Sequence, residues 1–311
     1  MIGFGQARSG TPPRHSRLAR REAIAFYLFI SPWIVGFLAF TLGPMLASLY
    51  FSFTSYDIVH APQWIGGRNY SILFSTPLFW QSIKVTLSYG IPALLLGLVL
   101  GMALAILLNQ KLPGLGIWRT IFYLPSVISG VPVALLWLLI LQPQWGILNE
   151  VLAFVHIPGP QWQYSAKWVI PMFIIMGLWG VGGTMLIYLG GLQGIPSQLY
   201  EAAEIDGAGA MRRLFNITLP MLSPVILFNL ILGIISAFSY FTNAFVMTQG
   251  GPNYASYFYL YYLFDNAWTY LRMGLASAQA WLFFAFVFVI TVIVLRTSLA
   301  WVYYGGGTSN E

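Results

Sequence analysis

Five of the 22 charged side chains (14 basic, 8 acidic) in this 311-residue chain crowd into one stretch, residues 201–220, EAAEIDGAGAMRRLFNITLP. Glu201, Glu204 and Asp206 come first, Gly207 and Gly209 mark a turn, and Arg212 and Arg213 come after it. Long apolar runs flank the stretch on both sides. Ser197 is placed to cap a short helix through Tyr200, Glu201 and Ala203, its hydroxyl accepting from a free amide of the first turn. Gly207 supplies the positive φ that ends this helix. Leu199 and Ala203 give it a small apolar face, and Met211, Leu214 and Phe215 form a second apolar patch. The chemistry open to this group is docking onto a soluble partner, with an ordinary charged surface hairpin as the plain alternative.

A second constellation is uncharged. Asn229, Gly233, Ser236, Tyr240 and Asn243 succeed one another at spacings of 4, 3, 4 and 3, which lines one face of a helix. Amides and hydroxyls in hydrocarbon cost several kcal/mol each when unpaired, so this face should look inward. Two readings stay open: hydrogen bonding between helices through small residues, or a pathway in which Tyr240 and Asn243 meet a polar solute. An aromatic ring beside amides suits sugars, which have apolar CH faces and hydroxyl rims. The preceding apolar run holds Trp179, Gly180, Gly183, Thr184 and Tyr188, read first as helix packing and second as pathway wall.

The elements that must position these groups are membrane spans. The chain is 58% hydrophobic and 7% charged, against roughly 25% charged in soluble domains. After a tail (residues 1–22) with Arg8, Arg14, Arg17, Arg20 and Arg21, an apolar run extends from Ala23 to about Phe51. Signal-peptide cores are about 7–15 residues, so this longer run reads as a retained span. Further spans are expected at 84–108, 118–141, 168–192, 218–245 and 279–302, an all-α protein with six transmembrane helices. With both termini cytoplasmic, Arg8, Arg14, Arg17, Arg20, Arg21, Lys111, Arg119, Arg212, Arg213 and Arg296 lie inside, and only Arg68, Lys84, Lys167 and Arg272 outside. Ten against four obeys the positive-inside rule and puts residues 201–213 in the cytoplasm.

Other chemistries are disfavoured. The chain has no cysteine, and His15, His60 and His156 are far apart in sequence, so neither thiol nor metal chemistry is indicated. Lys84, Lys111 and Lys167 come directly after Ile83, Gln110 and Ala166, whereas a phosphate-binding P-loop needs Gly before its Lys. No charged residue is expected well inside a span, which argues against an ion-coupled carrier or a membrane-embedded enzyme. The basic net charge of +6 is accounted for by topology and needs no nucleic acid. Ala93, Gly97, Gly101 and Ala105 let a neighbouring helix approach the second span closely, while Pro125 and Pro132 break the third. The sixth span, with Phe283, Phe284, Phe286 and Phe288, reads as a lipid-facing helix without chemistry.

Glu201-Ala202-Ala203, Asp206-Gly207-Ala208 and Leu219-Pro220 together resemble the EAA loop of binding-protein-dependent ABC importer permeases. Gly66-Gly67-Arg68-Asn69-Tyr70, Phe79-Trp80, Arg119-Thr120-Ile121-Phe122-Tyr123-Leu124-Pro125, Gly146-Ile147-Leu148-Asn149 and Gly250-Gly251-Pro252 are similar to the carbohydrate-type (MalF- and UgpA-like) members. The resemblance implies that Glu201, Ala202, Ala203, Asp206, Gly207 and Ala208 form a coupling helix that docks on a cytoplasmic ATPase. It implies solute contact on the span after the loop, at positions matching Ser236, Tyr240 and Asn243. Tyr240 stands where maltose-type members have an amide and Gly183 where they have an aromatic, so Asn243 is the closer match. The 32-residue loop at 52–83 leaves no room for a large extra domain, which points to the shorter, six-span form. The resemblance further implies a bacterial inner-membrane location, with the permease core at about 80–302 and tails at 1–22 and 303–311. Implied partners are a second EAA-bearing permease, two ATPase subunits holding ATP and Mg, an extracytoplasmic solute-binding protein, a sugar and membrane lipid. No cofactor is expected on this chain. A permease for an amino acid or a phosphate ester is the alternative of the same architecture.

Overall fold

The computed structural model describes residues 17–110, 113–128 and 130–303, which are mostly helical. Arg8, Arg14, His15, Lys111 and the tail beyond Tyr303 lie outside the described residues. In chain order the helices are α1 (Arg17–Phe37), α2 (Gly43–Ser52), α3 (Arg68–Ser75), α4 (Pro77–Leu108), α5 (Leu115–Val127), α6 (Val131–Ile140), α7 (Ile147–Phe154) and α8 (Val169–Trp179). They continue as α9 (Gly182–Gln193), α10 (Ser197–Ile205), α11 (Ala210–Arg213), α12 (Leu219–Phe238), α13 (Thr242–Met247), α14 (Tyr259–Phe264) and α15 (Met273–Ser298). Strands β1 (Thr54–Ser55) and β2 (Gln63–Trp64) pair antiparallel, Thr54 opposite Trp64.

Four apolar helical stretches are long enough to cross a membrane: Arg20–Ser52, Pro77–Leu108, Ala210–Met247 and Met273–Ser298. The shortest has 26 residues, about 39 Å of helix against a hydrocarbon core of roughly 30 Å. Two further stretches are bent pairs, α5 with α6 at 107° and α8 with α9 at 44°, so the described residues hold four to six candidate spans by length and composition. The expected third span at 118–141 is therefore not one straight helix. Pro132 sits in the first turn of α6, after Gly130 at φ +78°. Boundaries shift too. α4 begins at Pro77 rather than 84, which takes Lys84 into the helix, and α15 begins at Met273 rather than 279. The first span widens into a π turn at Leu38–Leu42, just before Pro44, whose ring nitrogen has no hydrogen for the regular ladder.

α4 is the central pillar. Its first half joins α8 and α14 in a core that includes Phe79, Tyr89, Phe173 and Phe258. Its second half joins α9 and α12 around Ala105, Tyr188, Leu189 and Leu222. The small-residue row on α4 divides accordingly. A Cβ at Gly101 would meet Thr184 Cγ2 at 2.8 Å, and Ala105 is fully buried, whereas Gly97 has open space beside it. The Arg119 guanidinium donates to the Leu108 carbonyl at 2.7 and 3.2 Å and so caps the end of α4. Not all of the sixth span is featureless: Gln279 is fully buried and accepts from Asn266 Nδ2 at 3.0 Å, while Phe284, Phe286 and Phe288 are exposed. None of the described side chains of α1 is buried, and Phe29 is 88% exposed.

Candidate functional site: a coupling helix and a mid-span cleft

α10 and the turn that follows it carry the 201–208 segment, and none of these residues is buried. Ser197 does not cap it. Pro196 occupies the N-cap position with no side-chain hydrogen bond, because the backbone of Ser197 is already helical and its hydroxyl is carried past the first-turn amides. The other end forms as expected. Gly207 has φ +73°, its N–H donates to the Glu204 carbonyl at 3.1 Å, and the Ala208 N–H reaches the Ala203 carbonyl at 2.8 Å. This is a Schellman ending, in which glycine at positive φ satisfies the last helical carbonyls.

Glu201, Ala202, Asp206 and Gly207 are exposed, and Ala203 and Ala208 are half-buried. Ile205, a residue the sequence pattern did not single out, is 88% exposed, and Leu199, Met211 and Phe215 are exposed too. Side-chain contacts nevertheless tie α10 to the second arm of the hairpin. The Tyr200 hydroxyl lies 3.0 Å from Thr218 Oγ1, and Arg213 Nη1 lies 3.7 Å from Glu204 Oε1. Thr218 is the last residue of a π turn (Leu214–Thr218) that leads directly into α12.

α12 in turn walls a cleft of about 460 Å³ whose other walls are α4, α5, α6, α8, α9 and α13. Asn229, Gly233, Ser236, Tyr240 and Asn243 all line it, as do Trp179, Gly180 and Thr184. The stripe does not lie on one continuous helix, however. α12 ends at Phe238 and α13 starts at Thr242, so Tyr240 reaches the cleft from the break and Asn243 from the first turn of α13. Their polar groups meet there, with Asn243 Nδ2 donating to the Tyr240 hydroxyl at 2.9 Å. Asn229 is different: it is 4% exposed and its Nδ2 donates to the Val225 carbonyl of its own helix. Ser236 is exposed.

Sequence reasoning missed Tyr89 and Ser126, which also line the cleft. The Tyr89 ring lies 4.2 Å from that of Tyr240, and Phe173 and Phe258 close round the same ring at 5.4 and 5.1 Å. A signal for Tyr89 was present: it stands four residues before Ala93 and so extends the Ala93–Gly97–Gly101–Ala105 row by one turn. On α4 the cleft runs from Tyr89 to Leu98, the middle of the helix. None of the described residues that line it is charged. The cleft can therefore hydrogen-bond and stack on a neutral polar surface, through the hydroxyls, amides and aromatic rings that line it.

Residues 23–304 match the family model described as "Binding-protein-dependent transport system inner membrane component". The chain belongs to this family. Its members are inner-membrane transport components, in keeping with the several apolar helices long enough to span a membrane. Among relatives, YesP of Bacillus subtilis (strain 168), a probable ABC transporter permease, is 44% identical over 94% of this chain and 96% of its own. The trehalose/maltose transport system permease MalF of Thermococcus litoralis is 34% identical over 90% of this chain and 96% of its own. Among solved structures, a bacterial ABC transporter involved in the import of the acidic polysaccharide alginate is similar at a TM-score of 0.80. It is 25% identical over 92% of this chain and 99% of that one.

Proposed function

We propose that this chain is one transmembrane subunit of an ATP-driven, binding-protein-dependent importer for a sugar or sugar-like solute. The observation that carries the reading is the continuous link from α10 through the Tyr200–Thr218 contact into α12, whose residues wall the cleft. A rigid, unburied helix at one end of such a link can pass a partner's movement to the solute pathway. Glu201, Ala202, Ala203, Asp206, Gly207 and Ala208 are the docking element for a cytoplasmic ATPase, with Ile205 and Leu199 as its apolar contacts. Two such ATPases hold the ATP and Mg, and this chain supplies the pathway.

In this reading the protein has six spans with both termini in the cytoplasm, a core at about 80–302, and tails at 1–22 and 303–311. Ser236, Tyr240 and Asn243 contact the solute, with Trp179 and Gly180 as the facing wall, and Asn229 serves packing. Aromatic faces beside amide and hydroxyl groups suit a sugar ring, and the Thermococcus litoralis relative is named for two sugars. A second permease subunit covers the open side of the cleft and the exposed length of α1. The solute arrives on an extracytoplasmic binding protein.

The test is gentle purification of the tagged chain from its native host, with mass spectrometry of what accompanies it and reconstitution in proteoliposomes. The expected result is recovery of an ATPase and a second permease, with sugar uptake that requires ATP. A chain that purifies alone and transports without ATP would overturn the reading.

A further inference from the structure

A second pocket, of about 470 Å³, shares no lining residue with the cleft; Tyr56, Asp57, Gln63, Arg68, Asn69 and Arg272 supply most of the polar part of its wall and Ile65, Ile72 and Leu275 the apolar part. It sits beside α3, one residue from the start of α4, whereas the groove under α10 is lined by Ile106, Asn109 and Gln110 at the end of α4. The 32 residues of α4 span about 48 Å, so the pocket and the coupling helix lie on opposite sides of the membrane. With α10 in the cytoplasm, the pocket faces outward.

Two of the four basic residues expected outside, Arg68 and Arg272, thus converge on one pocket, although basic residues are scarce on that side. Among the described residues the ion pairs are His60–Asp57 and Arg213–Glu204, so neither arginine has a carboxylate within bridging distance. Asp57, the acid in the wall, is engaged elsewhere: it accepts from the His60 N–H at 2.8 Å and faces His60 Nδ1 at 2.7 Å. Those contacts, the backbone one first, hold its carboxyl below the usual carboxylate range. Asp57 keeps its own negative charge, so the two arginines leave the pocket wall with a net charge of +1 and guanidinium donors that no carboxylate takes.

The pocket is also pre-formed. Asn69 Nδ2 donates to the Ser52 and Thr54 carbonyls, both at 2.9 Å, and the Tyr70 hydroxyl donates to Ser52 Oγ. The Gly274 N–H donates to the Tyr56 carbonyl at 3.0 Å, and a Cβ at Gly274 would strike the Thr54 carbonyl. The Arg272 N–H donates to the Asn266 carbonyl at 2.7 Å, and its guanidinium lies 5.8 Å from the Tyr270 ring centre. Arginine presents a rigid fork of donors that matches a carboxylate.

We propose that the Arg68–Arg272 pocket is a socket for an acidic side chain of the solute-binding protein. This rests on the importer reading above and names the chemistry of one of its interfaces. An exposed charged contact of this kind governs encounter rate and salt dependence more than total affinity.

The test uses the complete native transporter in phosphatidylcholine nanodiscs, titrated with the binding protein that co-purifies with it while ATPase activity is read. R68E/R272E should raise the binding-protein concentration for half-maximal stimulation about tenfold at low salt, equivalent to about 1.4 kcal/mol. Its basal ATPase rate and elution volume should stay at the wild-type values, and R68Q/R272Q should fall between. Added NaCl should weaken the wild type and not the double variant. A binding protein with acidic surface residues changed to Lys should restore the charge-reversed variant. An unchanged half-maximal concentration in R68E/R272E, with the wild type stimulated normally, overturns the socket alone. A defect that appears only when phosphatidylglycerol is added assigns the pocket to a lipid headgroup and also overturns it. A wild-type transporter unmoved by the binding protein defeats the importer reading, and the socket with it.

Discussion

The Tyr200 hydroxyl stands 3.0 Å from Thr218 Oγ1, across eighteen residues of chain that include the Gly207 turn and both arginines of the hairpin. Tyr200 is on α10, and Thr218 immediately precedes α12, which walls the cleft. Thr218 also donates to the Arg213 carbonyl at 3.3 Å, so a single hydroxyl gathers both arms of the hairpin. Loss of the phenol should therefore loosen the transmission while leaving the fold in place. A hydrogen bond of this kind contributes about 1 kcal/mol net. Tyr200→Phe is expected to keep ATP hydrolysis near wild type while the amount of sugar moved per ATP falls severalfold in proteoliposomes. An unchanged ratio of transport to hydrolysis would mean that the link runs by another route.

Gly207 makes a graded prediction. Nothing lies within 4 Å of the position a Cβ would take, so substitution is limited by its φ of +73° alone. For most L-residues that region costs roughly 1–2 kcal/mol, and Asn tolerates it better. Gly207→Asn should transport nearly as well as wild type, Gly207→Ala less, and Gly207→Val least. Melting temperature of the purified complex should change little across the three, because the turn is exposed. Equal transport by Asn and Val variants would show that the helix ending is dispensable.

Gly101 and Gly97 stand one turn apart on α4 and predict opposite outcomes. Gly101 faces Thr184 and the Met185 backbone amide at contact distance, and Gly97 faces open space in the cleft wall. Gly101→Val should overpack the α4–α9 contact and cost about 1–3 kcal/mol, visible as a lower melting temperature in detergent. Gly97→Ala should leave stability equal or slightly higher, since Ala is the better helix former by up to about 1 kcal/mol. A Gly101→Val protein as thermostable as the wild type would refute the close approach.

Much of this arrangement is legible in the sequence because its cause is local. Hydrophobic run length marks the candidate spans, and Gly207 needs only its own backbone to end α10. The 4-3-4-3 stripe is legible for a less secure reason, since its residues share the cleft although the helix breaks between Phe238 and Thr242. No proline or glycine stands in residues 234–241, so the break comes from tertiary contacts, with Tyr240 held among Tyr89, Phe173 and Phe258. Ser197 failed as a cap because spacing does not fix which residue first turns helical. Gln279, Asn266 and Tyr259 were invisible as a hydrogen-bonded group because they come together only when α14 folds back on α15.

Asn243 and Asn229 allow the two readings of the stripe to be separated. Asn243 Nδ2 meets the Tyr240 hydroxyl at the cleft wall, while Asn229 Nδ2 is committed to the Val225 carbonyl. If the first pair meets solute and the second only packs, their losses should appear in different measurements. The concentration of sugar that half-saturates uptake is set by the binding protein, so a defect in the cleft should lower the maximal rate instead. Asn243→Ala removes about one hydrogen bond, near 1 kcal/mol, and should reduce maximal uptake about fivefold with the half-saturating concentration unchanged. Tyr240→Phe should do the same or slightly more, since it also leaves the Asn243 amide without its acceptor. Asn229→Leu should keep at least half of the wild-type rate. The measurement is radiolabelled uptake of the sugar found on the co-purified binding protein, at saturating binding protein. Equal losses for Asn243→Ala and Asn229→Leu would return the whole stripe to helix packing and place the solute pathway elsewhere.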